Sequence, residues 1–469
     1  MAIVAPAIGG TPWTSDGIAK LRADIDATLD GPGGLRGAHV GVTAIDTATG
    51  ATLYERHADE EFQPASTLKL VVGSVALDVL GPAYAPSTGV DIDGDDLQVD
   101  PDDDPFFGTD EAAAFVAAVQ ARHLSHVHDV VVFDSPDRTS VYPPGWTFDD
   151  FAEDYAALPS DATFEENVVH VYARPGATAG SPVVVRTLPK LALDAPDGVA
   201  CSFSAFLTNR ATTSSIGTEP LLDAEPTASG CRLLVGSVPL GSAEVETDVA
   251  IPDPPTYLAR ALVAALNAHG ISVDGSGSVD RRGAPRMFSS ITSGSRLWRH
   301  DGLPLSSVLP RFWVPSDNFV GEELLLALSR GSRDRALDVE RMWLKGIGVD
   351  PATTTLADGS GLSQYDRITP RDLVTILQHD WNGPNRQLVL DSLPIAGARG
   401  TIEGIAGTPA AGRVFAKTGS MMHVRGLAGY LATQHHGAVT FAFEVDDWIG
   451  DYAELAAVRA AVLSRIVRD

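Results

Sequence analysis

The chain reads FQPASTLK at residues 62–69, and an apolar run with helical spacing continues from Leu68 to Leu80. A proline followed by a serine at the mouth of such a run is a helix-start signal. The pattern predicts Ser66 and Lys69 on one face of a helix's first turn, where residues three apart are neighbours. A hydroxyl beside an amine is a candidate nucleophile and base. Alone the pair is weak evidence, because a solvated serine and lysine on one helix give the same pattern.

Two further motifs occur in a fixed order behind the first. Ser316-Asp317-Asn318 precedes a helical run and, taken alone, is a good helix N-cap. Lys417-Thr418-Gly419-Ser420 ends a β-like run, and lysine is rare here, with five among 34 basic residues. S-x-x-K, S-D-N and K-T-G in this order are the signature set of penicillin-interacting serine enzymes. Two lysines in one cleft can lower each other's pKa, as a lysine that deprotonates a serine requires.

Composition excludes several functional classes. The 469 residues include 44% apolar residues at a mean hydropathy of +0.05, which predicts more than one packed domain and excludes wholesale disorder. The 61 acidic residues outnumber the 34 basic ones and give a net charge of −27, so we expect no nucleic-acid partner. No run of 18 apolar residues occurs, which predicts no integral membrane segment.

The residues alone decide neither the cellular compartment of the protein nor whether its two cysteines form a disulfide. The stretch 1–7 lacks the cationic and apolar regions of a secretory signal, so the protein either stays in the cytoplasm or begins after a removed signal. Cys201 and Cys231 are too few for a disulfide scaffold or a four-thiolate zinc site. One bridge and two buried free thiols are equal alternatives.

A long insertion separates the first two motifs, with 250 positions between Ser66 and Ser316. An Asp-, Gly- and Pro-rich stretch from Ser87 to Pro105 marks its entry, and short β-like runs fill about Pro175 to Pro252. Periodicity predicts helices over 111–121, 255–269, 318–329, 335–345 and 452–467, a hairpin over 37–53, and strands over 130–133, 414–418, 426–432 and 438–445.

The chain resembles the type-4 penicillin-binding proteins (low-molecular-mass class C), which are D-alanyl-D-alanine carboxypeptidases and endopeptidases. Further matches extend the resemblance over nearly the whole chain: Gly145-Trp146, Asp149, Asp150, Tyr155, Asn167, Arg174-Pro175-Gly176, Asp253-Pro254, His269-Gly270-Ile271, Asp358-Gly359-Ser360-Gly361-Leu362-Ser363, Thr369-Pro370, Leu393-Pro394-Ile395-Ala396-Gly397 and Gly400-Thr401. Two departures, Arg399 and Asp366-Arg367, lie outside the motifs.

The resemblance implies an α/β fold with a transpeptidase-like domain of the penicillin-binding-protein and β-lactamase kind, an antiparallel sheet flanked by helices. It also implies two nested inserted domains, the innermost β-rich. The expected boundaries are 1–86 and 288–469 for the catalytic domain, 87–175 and 248–287 for the inserted α/β domain, and 176–247 for the nested β-rich domain.

The resemblance also implies a role for each motif residue. Ser66 would attack the carbonyl of the penultimate D-alanine, and Lys69 would take its proton. Ser316 would relay that proton to the leaving amine. Lys417 would hold a positive potential, and Asn318 would bind the substrate's peptide group.

Substrate-binding residues are implied in the same way. Backbone N–H groups of Ser66 and Ser420 would form an oxyanion hole, and Thr418 and Ser420 would receive the terminal carboxylate. A diaminopimelate side chain would meet Trp146 and Asp149, although a core tryptophan and a helix-capping aspartate are equally compatible with the sequence. The remaining expected contacts are Gly419, Met421, Ser360, Gly361 and Leu362.

No cofactor or metal is required by this chemistry, and the histidines His123, His126 and His128 lack a regular ligand face. The expected partners are peptidoglycan stem peptides and β-lactam antibiotics. Such substrates imply an exported protein, in the periplasm or on the outer face of the cytoplasmic membrane, so a removed signal is the simpler explanation of the N-terminus. The sequence leaves the oligomeric state open.

Three alternatives share the scaffold. A β-lactamase would need a dedicated deacylating base, which no motif provides. A D-amino-acid amidase or aminopeptidase would use the same acyl-enzyme chemistry on another substrate. A non-catalytic penicillin-binding homologue would usually have lost the serine or the lysine, and here every motif is intact.

Overall fold

The computed structural model describes residues 3–7, 9–134, 142–189, 206–281, 296–402 and 405–469. Its α-helices are α1 (Ser15–Asp30), α2 (Lys69–Val79), α3 (Thr109–Ala121), α4 (Pro254–Ala268), α5 (Leu305–Trp313), α6 (Asn318–Ala327), α7 (Arg333–Gly346), α8 (Pro370–Asn382), α9 (Arg386–Ser392) and α10 (Tyr452–Arg468). Among the described residues, none of the helices has the length and apolar character needed to cross a bilayer.

The strands are β1 (His39–Asp46), β2 (Thr52–Arg56), β3 (Ser87–Asp93), β4 (Asp96–Asp100), β5 (His126–Val127), β6 (Val130–Phe133), β7 (Val168–Arg174), β8 (Val184–Leu188), β9 (Leu207–Asn209), β10 (Thr212–Ser214), β11 (Leu221–Pro226), β12 (Arg232–Pro239), β13 (Val245–Ala250), β14 (Ser272–Val273), β15 (Ser278–Asp280), β16 (Arg296–Asp301), β17 (Val414–Met421), β18 (Val424–Ala432) and β19 (Ala438–Asp446). The helices and strands predicted from periodicity are confirmed, with ends that differ by a few residues.

A five-stranded antiparallel sheet in the order β17-β18-β19-β1-β2 forms the centre of the motif-bearing part of the chain. Its strands β18 and β19 are buried at nearly every position because helices cover both faces. On one face, Leu427 and Phe443 pack with Leu455 and Val458 of α10. On the other face α8 covers β19 and β1, and the turn before α2 packs on β17.

Helix α2 lies inside this helical layer, and every residue from Lys69 to Leu77 is buried. A helix surrounded on all sides must be largely apolar, and in this stretch only Lys69 and Ser74 are polar, each of them hydrogen-bonded. Gly73 provides the space for the Trp313 ring, since a Cβ at Gly73 would lie 2.4 Å from Cζ2 of Trp313. The indole N–H of Trp313 donates to the carbonyl oxygen of Lys69 at 2.9 Å, so this packing also holds the first turn of α2.

The insertion contains three main sheets in the described residues. A five-stranded sheet, β15-β6-β4-β3-β16, packs against α3 and α4, and smaller sheets are formed by β13-β7-β8 and by β9 to β12. One apolar cluster runs through all of them and includes Phe115, Val132, Val171 and Leu234. The expected fold class is confirmed: an antiparallel sheet flanked by helices, with an α/β region and a β-rich region inserted.

The division into domains stays a prediction. Strand β16 pairs with β3, which places it in the sheet of the inserted region rather than after a boundary at 287/288. We therefore propose that the chain returns to the catalytic domain after Asp301. Cys231 is disulfide-bonded, and the other cysteine of the sequence, Cys201, lies outside the described residues.

Gly73→Ala is expected to lower the free energy of unfolding by about 1–3 kcal/mol, because overpacking against Trp313 outweighs the gain in helix propensity. The matched control is Gly346→Ala at the end of α7, where an added Cβ meets no atom within 4 Å. Urea unfolding should show a lower midpoint for the first variant only. Equal midpoints would contradict the close packing of the Trp313 ring on α2.

Candidate active site

Ser66 lies in the 3-10 helix Ala65–Leu68, which leads into α2 and packs against β17. Two glycines allow backbone to approach this turn. A Cβ at Gly419 would lie 2.3 Å from the carbonyl oxygen of Pro64. A Cβ at Gly361 would lie 1.9 Å from the carbonyl oxygen of Ala65. Gly361 also has a φ of +79°, a left-handed conformation that strains L residues. The serine turn is therefore enclosed by backbone on two sides.

The amine of Lys69 contacts three oxygens from three parts of the chain. Its Nζ donates to Ser66 Oγ at 2.7 Å, to Asn318 Oδ1 at 2.6 Å and to the carbonyl oxygen of Ser360 at 2.6 Å. Three acceptors match the three protons of an ammonium group. After loss of one proton, the same nitrogen is in hydrogen-bond distance to accept the proton of Ser66 Oγ.

Burial sets the basicity of this amine. Desolvation lowers the pKa of Lys69 to about 8, and the negative charges of Asp358, Asp317 and Glu322 limit the fall. The side chain is 0% exposed, so the charged form loses nearly all of its hydration. An amine with this pKa is partly neutral at physiological pH, which a general base requires.

Lys417 forms a second amine and hydroxyl pair across the same cleft. Its Nζ donates to Ser316 Oγ at 2.7 Å and to the carbonyl oxygen of Thr418 at 2.9 Å. Ser316 has a φ of +69°, a conformation that is rare outside glycine and often found at functional sites. Burial and the nearby charge of Lys69 both lower the pKa of Lys417 well below its usual value. Burial therefore disfavours the charged form of both lysines.

Two buried carboxyl groups hold the loop whose carbonyl meets Lys69. Asp358 accepts from the backbone N–H of Gly361 at 2.7 Å and from that of Ser363 at 2.6 Å. It also accepts from the indole N–H of Trp146 at 2.8 Å. Glu322 of α6 accepts from the backbone N–H groups of Gly359 and Ser360, both at 2.9 Å. The loop over residues 358–363 is thereby anchored from both sides.

Comparison with known proteins agrees with this arrangement. The sequence model of the D-Ala-D-Ala carboxypeptidase 3 (S13) family matches residues 21–465. The chain belongs to the S13 family. It is 30% identical over 455 residues to a D-alanyl-D-alanine carboxypeptidase of Actinomadura sp. (strain R39), which covers 90% of this chain and 81% of that one. The resemblance to the type-4 penicillin-binding proteins is thereby confirmed.

Two further relatives come from Haemophilus influenzae. A D-alanyl-D-alanine carboxypeptidase DacB is 30% identical over 157 residues, which is 32% of this chain and 33% of that one. The crystal structure of penicillin binding protein 4 (dacB) has a TM-score of 0.78 at 19% identity, and the match covers 95% of this chain and 99% of that one. At this identity the structural match establishes the shared fold.

The S13 motifs open onto one cavity of about 230 Å³, lined by Ser66, Ser316, Thr401, Thr418, Gly419, Ser420, Arg425, Tyr452 and Arg459. Five of these belong to the predicted site. Lys69, Asn318 and Lys417 adjoin it through their bonds to the two serines and to each other. Thr401 belongs to the Gly400-Thr401 match noted in the sequence, and nothing in the sequence alone singled out Arg425, Tyr452 or Arg459.

The remaining predicted substrate contacts lie outside this cavity. Ser360 and Gly361 are buried in the anchored loop, and Leu362 follows them half-buried. Met421 Sδ accepts from Gln63 Nε2 at 3.4 Å, beside the serine turn.

The two expected contacts of a diaminopimelate side chain differ in their surroundings. Trp146 is 8% exposed and bonded to Asp358, as a core tryptophan would be. Asp149 is exposed, and Thr147 rather than Asp149 occupies the N-cap of its 3-10 helix, Phe148–Ala152. Asp149 therefore has no capping role in that turn.

One contact from the insertion was not predicted. The side-chain amide of Asn318 donates from Nδ2 to the carbonyl oxygen of Tyr155 at 2.8 Å. Because its Oδ1 already accepts from Lys69, both ends of this amide are oriented. A backbone carbonyl leaves no signal in the sequence, so only the tertiary structure reveals this partner.

Gly361→Ala is expected to slow acylation of Ser66 by benzylpenicillin at least about tenfold, because the new Cβ would displace the serine turn. Gly81→Ala is the matched control, since Gly81 has a similar φ of +85° and open space around its Cβ position. Both variants carry the left-handed strain of about 1–2 kcal/mol. Equal acylation rates for the two variants would contradict the role of the close approach.

Proposed function

We propose that this S13 protein is a serine DD-peptidase that cleaves the terminal D-alanyl-D-alanine bond of peptidoglycan stem peptides through an acyl-enzyme on Ser66. One observation carries the proposal: two serine hydroxyls that line one cavity are each hydrogen-bonded to a buried lysine. Such a cleft can deliver a proton from one side of a scissile bond and accept one on the other. The relative from Actinomadura is named a D-alanyl-D-alanine carboxypeptidase.

Acylation begins with proton transfer from Ser66 Oγ to the neutral amine of Lys69, which lies 2.7 Å away. Oγ then forms a bond to the carbonyl carbon of the penultimate D-alanine, and the carbonyl oxygen becomes an oxyanion. Backbone N–H groups of Ser66 and Ser420 are the proposed donors to that oxyanion. The N-terminal end of the helical segment at Ser66 adds a favourable field for negative charge.

Collapse of the tetrahedral intermediate breaks the C–N bond. Ser316 gives its hydroxyl proton to the leaving amine and is reprotonated by the proton that Lys69 took from Ser66, while Lys417, 2.7 Å away, supplies the positive potential. The terminal carboxylate beside Thr418 and Ser420 favours the protonated form of Lys417, which opposes the desolvation that lowers its pKa. Water then hydrolyses the ester, returns the proton to Ser66 Oγ and releases the shortened stem peptide.

Substrate orientation follows from the fixed amide of Asn318, which we propose faces the peptide group of the stem. Its two bonds, to Lys69 and to the carbonyl of Tyr155, hold it at the edge of the cavity. Asp149 is the proposed partner of a cationic side-chain terminus in the stem, because its carboxylate is exposed. Trp146 contributes through Asp358, which it helps to orient.

Cross-link cleavage and location are parts of the same proposal. A D-alanyl-diaminopimelate bond presents the same acyl group to Ser66, so endopeptidase activity requires no further catalytic residue. Peptidoglycan lies outside the cytoplasmic membrane, and we propose that the protein is exported there. The disulfide at Cys231 supports an oxidising compartment.

Benzylpenicillin is expected to add one molecule's mass to the wild-type protein and none to Ser66→Ala in intact-mass spectrometry, because the β-lactam acylates the same hydroxyl. Ser307→Ala, at an exposed serine, is the control and should be acylated like the wild type. An unmodified wild type beside intact antibiotic would overturn the proposal. Rapid loss of antibiotic without an adduct would instead indicate a β-lactamase.

The acylation rate is expected to rise with pH through about 8 and then level off, because the neutral form of Lys69 accepts the serine proton. Below this pH the amine is charged and cannot act as a base. Lys69→Arg should react at least about a thousandfold more slowly, since arginine stays protonated. Stopped-flow measurement with benzylpenicillin from pH 6 to 10 gives the profile, and a wild-type rate that is flat over this range would contradict the assignment of the base.

A further inference from the structure

Two histidines and a glutamate meet at one corner of the central sheet. His39 is the first residue of β1, and His57 and Glu60 lie in the turn that follows β2. Because β1 and β2 are antiparallel neighbours, the start of one strand lies beside the end of the other. Each residue offers a ring nitrogen or a carboxylate oxygen, and these atoms all lie within 4.8 Å of one another. None of the three residues lines the active-site cavity.

The turn that carries two of these residues is held in shape by its surroundings. His57 has a left-handed backbone with a φ of +45°, and its carbonyl oxygen accepts from the backbone N–H of Glu60 at 3.2 Å. Between them, Asp59 accepts from Nε of Arg371 at 2.5 Å, and the carbonyl oxygen of Ala58 accepts from the Arg371 backbone N–H at 3.0 Å. Ligands that are fixed before an ion arrives lose less conformational freedom when it binds.

The imidazole of His39 is also oriented. It stacks on the ring of Phe62, with centroids 4.1 Å apart and planes 16° from parallel, and its Nε2 lies 2.7 Å from Oε2 of Glu60. The centre of the His57 ring is 5.4 Å from that of His39. A tetrahedral zinc ion with bonds of about 2.0–2.1 Å holds its ligand atoms about 3.3 Å apart. Modest rotations of the exposed side chains of His57 and Glu60 therefore bring the three atoms onto one ion.

A second carboxyl group lies next to this cluster. Asp446 of β19 pairs directly with His39, so the two side chains leave the sheet on the same face. Its Oδ2 accepts from the backbone N–H of Gln63 at 3.0 Å, and in the ranges that the structure describes its buried Oδ1 has no hydrogen-bond partner. Burial raises the pKa of Asp446, whereas positive charge at His39 lowers it. A divalent cation here would be balanced by the two negative charges of Glu60 and Asp446.

We propose that His39, His57 and Glu60 bind one zinc ion, with water in the fourth position. Two imidazoles and a carboxylate are a ligand set typical of zinc, whereas magnesium and calcium prefer sites built from oxygen atoms alone. Among the described residues no free thiol competes for the ion, since Cys231 is disulfide-bonded. The ion joins the start of β1 to the turn after β2, beside the Phe62 ring in the segment that leads to the serine turn.

A cluster in the inserted region supplies the matched control. His170 of β7 and two acids of β13, Glu246 and Asp248, also place their potential ligand atoms within 4.8 Å of one another. This set contains one imidazole rather than two, and Nδ1 of His170 lies 2.6 Å from Oδ1 of Asp248. Fewer nitrogen ligands make it a poorer zinc site. His170→Gln therefore removes a histidine from a similar surface cluster and leaves the proposed site intact.

The test titrates zinc chloride into the metal-free full chain by isothermal calorimetry. We expect one ion per wild-type molecule, and binding at least about tenfold weaker for His57→Asn and for Glu60→Gln. Asparagine tolerates the left-handed backbone at His57, and glutamine keeps the shape of Glu60 while removing its charge. His170→Gln should bind zinc like the wild type. Magnesium chloride should not bind at this site, because magnesium disfavours imidazole ligands.

Wild-type protein that binds no zinc would overturn the proposal. So would unchanged binding in both variants, and a loss confined to His170→Gln would place the ion in the cluster of β7 and β13 instead. Unfolding midpoints measured without metal identify a variant that has lost its fold. Glu60→Gln then decides, since the Glu60 side chain is 58% exposed. Acylation by benzylpenicillin is measured separately, so a failure of the proposed peptidase function leaves the result on the zinc site unaffected.

Discussion

Burial of the Lys69 amine is the constraint on which the active site depends. A lysine can deprotonate a serine near neutral pH only if its charged form has been destabilised, and desolvation does this by lowering its pKa to about 8. The same burial requires hydrogen-bond acceptors for its protons, and Ser66, Asn318 and Ser360 provide them. The amine nitrogen of Lys69 thus connects the nucleophile, helix α6 and the loop over residues 358–363.

The packed core around α2 excludes water from the amine of Lys69. The helix is buried on every side, and the indole of Trp313 closes over Gly73 and bonds to the carbonyl oxygen of Lys69. Asp358 and Glu322 lie close enough to moderate the pKa of the lysine, while their oxygens accept hydrogen bonds from the loop backbone, from Trp146 and from Arg333. The acids therefore fix geometry and limit the pKa shift without forming a salt bridge that would keep the amine protonated.

The inserted region takes part in the site although its length suggests an accessory module. Its contacts are a tryptophan indole on Asp358, a carbonyl of Tyr155 on Asn318, and the carbonyl of Pro144, which accepts from Ser363 Oγ at 2.7 Å. Each of them orients a group that itself touches the lysine or its loop. Changes in the insertion can therefore alter catalysis without any residue there reaching the reacting atoms.

The sequence by itself determined six of the ten α-helices in the described residues, the five strands of the central sheet, and the serine and lysine pairs, and the family resemblance of its motifs implied the fold class. These features are local: amphipathic periods, glycine positions and short motifs are properties of neighbouring residues. Tertiary structure alone decided which groups complete the cavity. Arg425 and Arg459 are two of 29 arginines, and only the register of β17 on β18 and the docking of α10 bring them beside Ser420. Contacts between distant segments do not appear in the local sequence pattern, so the place of these residues beside the cavity is known only from the tertiary structure.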